Sequence, residues 1–168
     1  MQSNIFKSAM INGLIMGVLF SVNFLLSISK VTFLILLSYL VISFIVVGIY
    51  RMSIRFRDVE CGGAIRYGKA FSFIVLTFFF AALISSIVKY VYFQFINPTY
   101  LDELLNESLK AIQMLKIPID KASYDQMAKV MKPATFSLQY IWMNVIVGTI
   151  LGLIMAAFVK KEKSIFEE

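Results

Sequence analysis

Side chains able to do chemistry are scarce in this chain, and most of them lie outside its apolar stretches. There is no histidine and a single cysteine, Cys61. The commonest general base and metal ligand are therefore missing. A lone thiol with no imidazole to activate it is a poor nucleophile, and Cys61 has no partner for an internal disulfide. Acid–base work would fall to Asp58 and Glu60, or to Asp102, Glu103, Glu107, Asp120 and Asp125 further along. No pair among them has a spacing that points to catalysis. The sequence reads as non-enzymatic, with no catalytic residue, no metal and no cofactor expected.

Anion chemistry has more to work with. Gly62, Gly63 and Gly68 stand beside Arg66 and Lys69, following Arg51, Arg55 and Arg57. Such glycines can form an anion-binding nest at a helix start. The spacing and Lys-Ser/Thr pair of a phosphate loop are missing. The alternative is a tight turn whose basic residues meet lipid phosphates. Lys89 is the one charged residue inside an apolar stretch. It lies roughly 27 Å along the helix axis from Phe71, near a membrane boundary, so its stem is expected to snorkel to the headgroups. An anionic ligand or lipid beside Ser85 is the other use. Asn12, Asn23 and Asn144 are the remaining polar candidates. Such residues more often bond across helices, for about 0.6–2 kcal/mol, than bind a ligand.

The elements that hold these residues are apolar helices. The chain has 168 residues, 60% hydrophobic, with a mean hydropathy of +0.82. A bilayer core needs about 20 apolar residues per helix, and four runs qualify: about 8–28, 31–50, 70–96 and 135–159. None contains a carboxylate. The first run is too long for a secretory signal, and a second follows at once. The fold expected is all-α: one integral-membrane domain over 1–168, a four-helix bundle with a tight hairpin at Ser29-Lys30. The net charge of +6 includes no basic run longer than two residues, which argues against nucleic acid and for membrane lipids. Lys7, the basic 51–69 loop and Lys160, Lys161 and Lys163 share one side. The positive-inside rule puts that side and both termini in the cytoplasm, and the 97–134 loop outside. Tyr50, the Tyr90–Phe95 group, Tyr140 and Trp142 read as interfacial aromatic belts.

In the first span, Ser8, Asn12, Gly13, Gly17, Ser21 and Asn23 gather on one side at 100° per residue, with aliphatics opposite. The fourth repeats this with Asn144, Gly148 and Gly152. Both pairs have the G-x-x-x-G spacing that lets helices approach closely, within the chain or between copies. In the outer loop, Thr99 with Asp102 signals one amphipathic helix and Ser123 with Gln126 a second, shorter one. They would lie on the membrane or cap the bundle, or else dock a partner.

The segment Cys61-Gly-Gly-Ala-Ile-Arg-Tyr-Gly-Lys-Ala-Phe71, with Tyr92-x-x-Phe95-Ile-Asn-Pro98 and Met131-Lys-Pro133 around a Leu/Met-rich loop, resembles domain-of-unknown-function family 4199. It is similar to members typical of Bacteroidota. The resemblance covers nearly the whole chain. It implies a bacterial inner-membrane location and an association with membrane glycosyltransferases, and carries no catalytic residues. Function is thus expected to be that of an accessory or structural subunit, packing with itself as a homo-oligomer or with a membrane enzyme. The alternative is a small oligomeric transporter or channel for a neutral or anionic solute or lipid, although proton coupling lacks its intramembrane acid.

Overall fold

The computed structural model describes residues 4–162; Lys163, counted above with the basic side, lies outside the described residues. Six α-helices form: α1 Ile5–Ser27, α2 Thr32–Arg55, α3 Tyr67–Val91, α4 Tyr100–Met114, α5 Lys121–Val130 and α6 Pro133–Val159. No strand forms among the described residues. Four helical segments are long and apolar enough to cross a bilayer: Ile5–Ser27, Thr32–Glu60, Tyr67–Ile96 and Pro133–Val159. The molecule is an all-α, multi-pass membrane protein.

Two of these segments end in a π-helical turn, at Phe56–Glu60 after α2 and at Tyr92–Ile96 after α3. The Cys61 amide donates to the Phe56 carbonyl at 3.1 Å and the Asn97 amide to the Tyr92 carbonyl at 2.8 Å. The second helix therefore continues to Glu60, beyond the Tyr50 end of the expected span, and Arg51, Arg55 and Arg57 ride on helix instead of loop. The reason is local. Ser53 and Phe56 continue the buried face while Arg51 and Arg55 fall on the exposed one, so charge interrupts the hydropathy without interrupting the helix. What remains of the expected 51–69 loop is the short link 61–66.

Helix ends are held by side chains where the sequence supplies them. Asn4 accepts from the Lys7 amide at 3.3 Å, and Pro133 opens α6, where its missing N–H costs nothing. Thr99 precedes α4 but caps no amide; its hydroxyl donates to Asn97 Oδ1 at 3.1 Å. The start of α5 is set by Asp120, which accepts from the Ser123 amide at 2.9 Å, and not by Ser123 itself. An aspartate is a stronger acceptor at that position, and its extended backbone suits a cap.

That cap is pH-sensitive. Hydrogen bonds from Ser123, side chain first and then backbone, hold the Asp120 carboxyl below its ordinary value. A depressed folded pKa gives stability that is fully present above the unfolded value, about 3.9, and lost as pH falls through the folded one. Amide exchange at Ser123 and Tyr124 should therefore accelerate below about pH 4, and D120A should show the faster exchange already at neutral pH. Equal protection of α5 in D120A and the parent chain would overturn this.

The described residues group into two compact units, 4–85 with 141–162, and 86–140. The first is a four-helix bundle. Its core is built from Met16 and Phe20 of α1, Ile45 and Ile49 of α2, Phe73, Ile74, Phe78 and Ala81 of α3, and Met155, Ala156 and Val159 of α6. Phe56 stacks on Phe73 with ring centroids 4.2 Å apart and planes 6° from parallel, which places the π turn after α2 in the core. Its outward faces are aliphatic and aromatic, as lipid requires: Phe33, Leu40 and Phe44 of α2 and Ile146, Leu153 and Phe158 of α6 are exposed. In the second unit, α4 folds back on the span ends. Leu101 and Leu105 are buried, and Phe93 sits between Tyr100, at 5.6 Å, and Phe136, at 5.5 Å. Helix α5 buries no residue.

Candidate functional site

At one end of the first unit, several segments converge on the glycine link. Gly62 and Gly63 have φ of +67° and +84°, a left-handed conformation that glycine adopts without strain. This reverses the chain so that Ile65 meets the end of α6. The Ile65 amide donates to the Lys161 carbonyl at 2.8 Å and the Lys161 amide returns a bond to the Ile65 carbonyl at 3.1 Å. Tyr67 donates its hydroxyl to the Leu153 carbonyl at 3.0 Å. Arg57 Nη1 reaches the Val159 carbonyl at 3.2 Å, capping the negative end of α6, while its Nε holds Asp58 at 2.7 Å. Ser8 of α1 donates to Glu60. The π turn after α2 is thereby tied to α1 and α6, and the short link after it to Lys161 just past α6.

A cavity of about 690 Å³ opens here, walled by Arg66, Tyr67, Lys160, Lys161 and Glu162 among others. The basic residues predicted for lipid or anion contact thus take different roles. Arg66 faces the cavity. Lys69 lies 5.9 Å from the centre of the Phe56 ring. Arg57 is engaged by Asp58 and Val159. Arg51 and Arg55 are exposed on α2.

The glycine pairs of α1 and α6 both face α3 within this unit. A Cβ added to Gly13 would lie 2.5 Å from Phe80 Cβ and 3.0 Å from the Thr77 carbonyl oxygen. At Gly17 it would meet Ile84 Cβ at 2.6 Å and the Ala81 carbonyl at 3.1 Å. At Gly148 it would meet Phe78 Cβ at 2.5 Å, and at Gly152 the Phe71 ring at 3.2 Å. The asparagines are less uniform. Asn12 donates to its own helix, to the Ser8 carbonyl at 2.7 Å. The Asn23 Oδ1 is buried without a partner. Asn144 is half-buried.

A second polar cluster lies in the other unit. Lys89 is only 4% exposed, and its Nζ sits 4.3 Å above the centre of the Tyr140 ring. This corrects the expectation that Lys89 snorkels to the headgroups: the aromatic face attracts the ammonium sideways into the protein. Nearby on the same helix, Ser86 donates to the Ser137 carbonyl at 2.6 Å. The Ser137 hydroxyl oxygen is buried with no partner.

Lys160, Lys161, Tyr67 and Ser137 were not legible as site residues. The two lysines signalled only orientation, because no sequence pattern brings the end of α6 onto the glycine link. Ser137 does fall on the polar side of the fourth span at helical spacing, which could have raised it. Among the described residues no group of three or more His, Cys, Asp or Glu could hold a metal. A family model described as "Protein of unknown function (DUF4199)" matches residues 7–161. No curated protein and no solved structure matches the chain.

Proposed function

The chain belongs to the DUF4199 family of proteins of unknown function, and we propose that it serves as a non-catalytic accessory subunit of an inner-membrane assembly, with both termini in the cytoplasm. Its partner on this reading is a membrane enzyme, or a second copy of the chain. The observation that carries the reading is the exposed apolar surface of the loop between the last two spans. Met114 is 82% exposed, Leu115 70%, Ile117 53%, Tyr124 44% and Val130 36%. Side chains of this kind on one short, membrane-adjacent segment mark an interaction surface. The small-residue faces of α1 and α6 lie against α3 within the chain, which leaves this segment as the surface with most to offer a partner. The basic residues between the second and third spans, Arg51, Arg55, Arg57, Arg66 and Lys69, support the orientation.

The test places a photo-crosslinking residue at Met114 or Tyr124 and irradiates native membranes. A discrete crosslinked protein, absent when the probe replaces buried Leu101, is expected. Crosslinking to lipid alone would overturn the reading. One observation favours a second reading, passage of an anionic solute or lipid: Lys89 and Ser86 of α3 and Ser137 of α6 are buried polar residues within apolar helices, with Ser86 bonded to the Ser137 carbonyl. Flux of such a solute into proteoliposomes, lost in K89M, would support it.

A further inference from the structure

We propose that the cavity beside the glycine link is a phosphate-binding site, taking the phosphate of a lipid headgroup or of a small soluble ion or ester. The site is built by folding, since Arg66 and the Lys160-Lys161 pair come from distant parts of the chain and are registered by the paired Ile65 and Lys161 backbones. Among the described residues, Arg66, Lys160 and Lys161 line the cavity with one carboxylate, Glu162, and Asp58 is close enough to act on Lys161 but is itself paired with Arg57, so the described lining carries a surplus of positive charge. A guanidinium offers phosphate a two-pronged, planar contact, and the lysines add mobile point charges. Helix α3 begins at Tyr67 in the wall, with no acidic residue in its first turn, so the positive end of its dipole adds to the field. The other helix end here would do the reverse, but Arg57 covers the Val159 carbonyl of α6. The volume of about 690 Å³ leaves room for a phosphate together with the headgroup or ester that carries it.

This site needs no protein partner and does not rest on the accessory-subunit reading. The experiment uses the full chain in phosphatidylcholine nanodiscs, with and without phosphatidylglycerol, and reads retained lipid by native mass spectrometry. Inorganic phosphate is titrated against the same samples. Each cation near a membrane surface is worth about fivefold in binding. K160A/K161A should therefore weaken retention roughly twenty-fivefold, and addition of R66A on the order of a hundredfold. K121A/K129A, which removes the same net charge from α5, is the control for diffuse attraction to anionic lipid and should weaken retention clearly less than K160A/K161A does. The double variant leaves the backbone pairing intact, so it decides the matter even where R66A disturbs folding. Phosphatidylglycerol retained in the presence of phosphate identifies a lipid as the ligand. Displacement by phosphate identifies a soluble anion. Either supports the site. Equal loss in K121A/K129A, no loss in K160A/K161A, or no binding of either probe by the parent chain would overturn it.

Discussion

Gly13→Ala should destabilise the folded monomer by about 1–3 kcal/mol, the usual cost of forcing a methyl into a closed interface. For a chain of this size that is roughly a 5 °C fall in melting temperature. The magnitude follows from what the new carbon would meet. Phe80 Cβ at 2.5 Å and the Thr77 carbonyl at 3.0 Å belong to the backbone or stand next to it, so neither can turn aside. The two helices would have to separate, and close packing is the main attraction between helices in lipid. The gain in helix propensity from Gly to Ala is at most about 1 kcal/mol and does not reverse the sign. G148A should behave similarly, since Phe78 Cβ stands at 2.5 Å. Three other glycines serve as controls with different outcomes. G48A meets only Met16, its terminal methyl at 2.7 Å and its sulfur at 3.9 Å, a flexible end that can move away, so a change within about 0.5 kcal/mol is expected. G68A meets nothing within 4 Å and should be neutral or slightly stabilising. G62A also meets nothing, but its φ of +67° imposes about 1–2 kcal/mol of backbone strain. Because these contacts are within the chain, the losses should not depend on protein concentration. Equal melting temperatures for G13A and G68A would sink this account.

The same glycines show how far the sequence alone could go. Small residues spaced four apart on a polar face announce a packing surface, and that much needs only helical geometry. The partner helix was not announced. Helix α3 carries no glycine inside its apolar run, and it receives the others through the Cβ atoms and carbonyls of Thr77, Phe78, Phe80 and Ala81, a pattern with no composition of its own. The end of the second helix was not legible for a related reason. Hydropathy averages all faces of a helix, so Arg51 and Arg55 appeared to end the second span although Ser53 and Phe56 keep its inner face buried. The glycine link was legible as a turn because φ above zero favours glycine. Its closure onto Lys161 was not, because one pair of backbone bonds between distant segments leaves no trace in side-chain type.

Lys89 separates a buried cation from one that reaches the headgroups, through substitutions of opposite consequence. K89M should alter stability by less than about 1.5 kcal/mol, because the straight apolar chain fills similar space and no charge remains to be kept from water. K89E should cost at least about 3 kcal/mol. It would set a carboxylate against the negative face of the Tyr140 ring at a position only 4% exposed. The ring itself is tested by Y140L, which keeps bulk and removes the aromatic face. A double-mutant cycle between K89M and Y140L should give a coupling of about 1–2 kcal/mol, the range for a desolvated cation over a ring. A lysine extended into the headgroups would behave otherwise: K89E would be tolerated nearly as well as K89M, and the coupling would vanish. The comparison also isolates function from folding. In K89M the protein stays folded with its cation removed, so a loss of anionic solute flux in that variant belongs to the chemistry of Lys89, while unchanged flux removes Lys89 from any transport role.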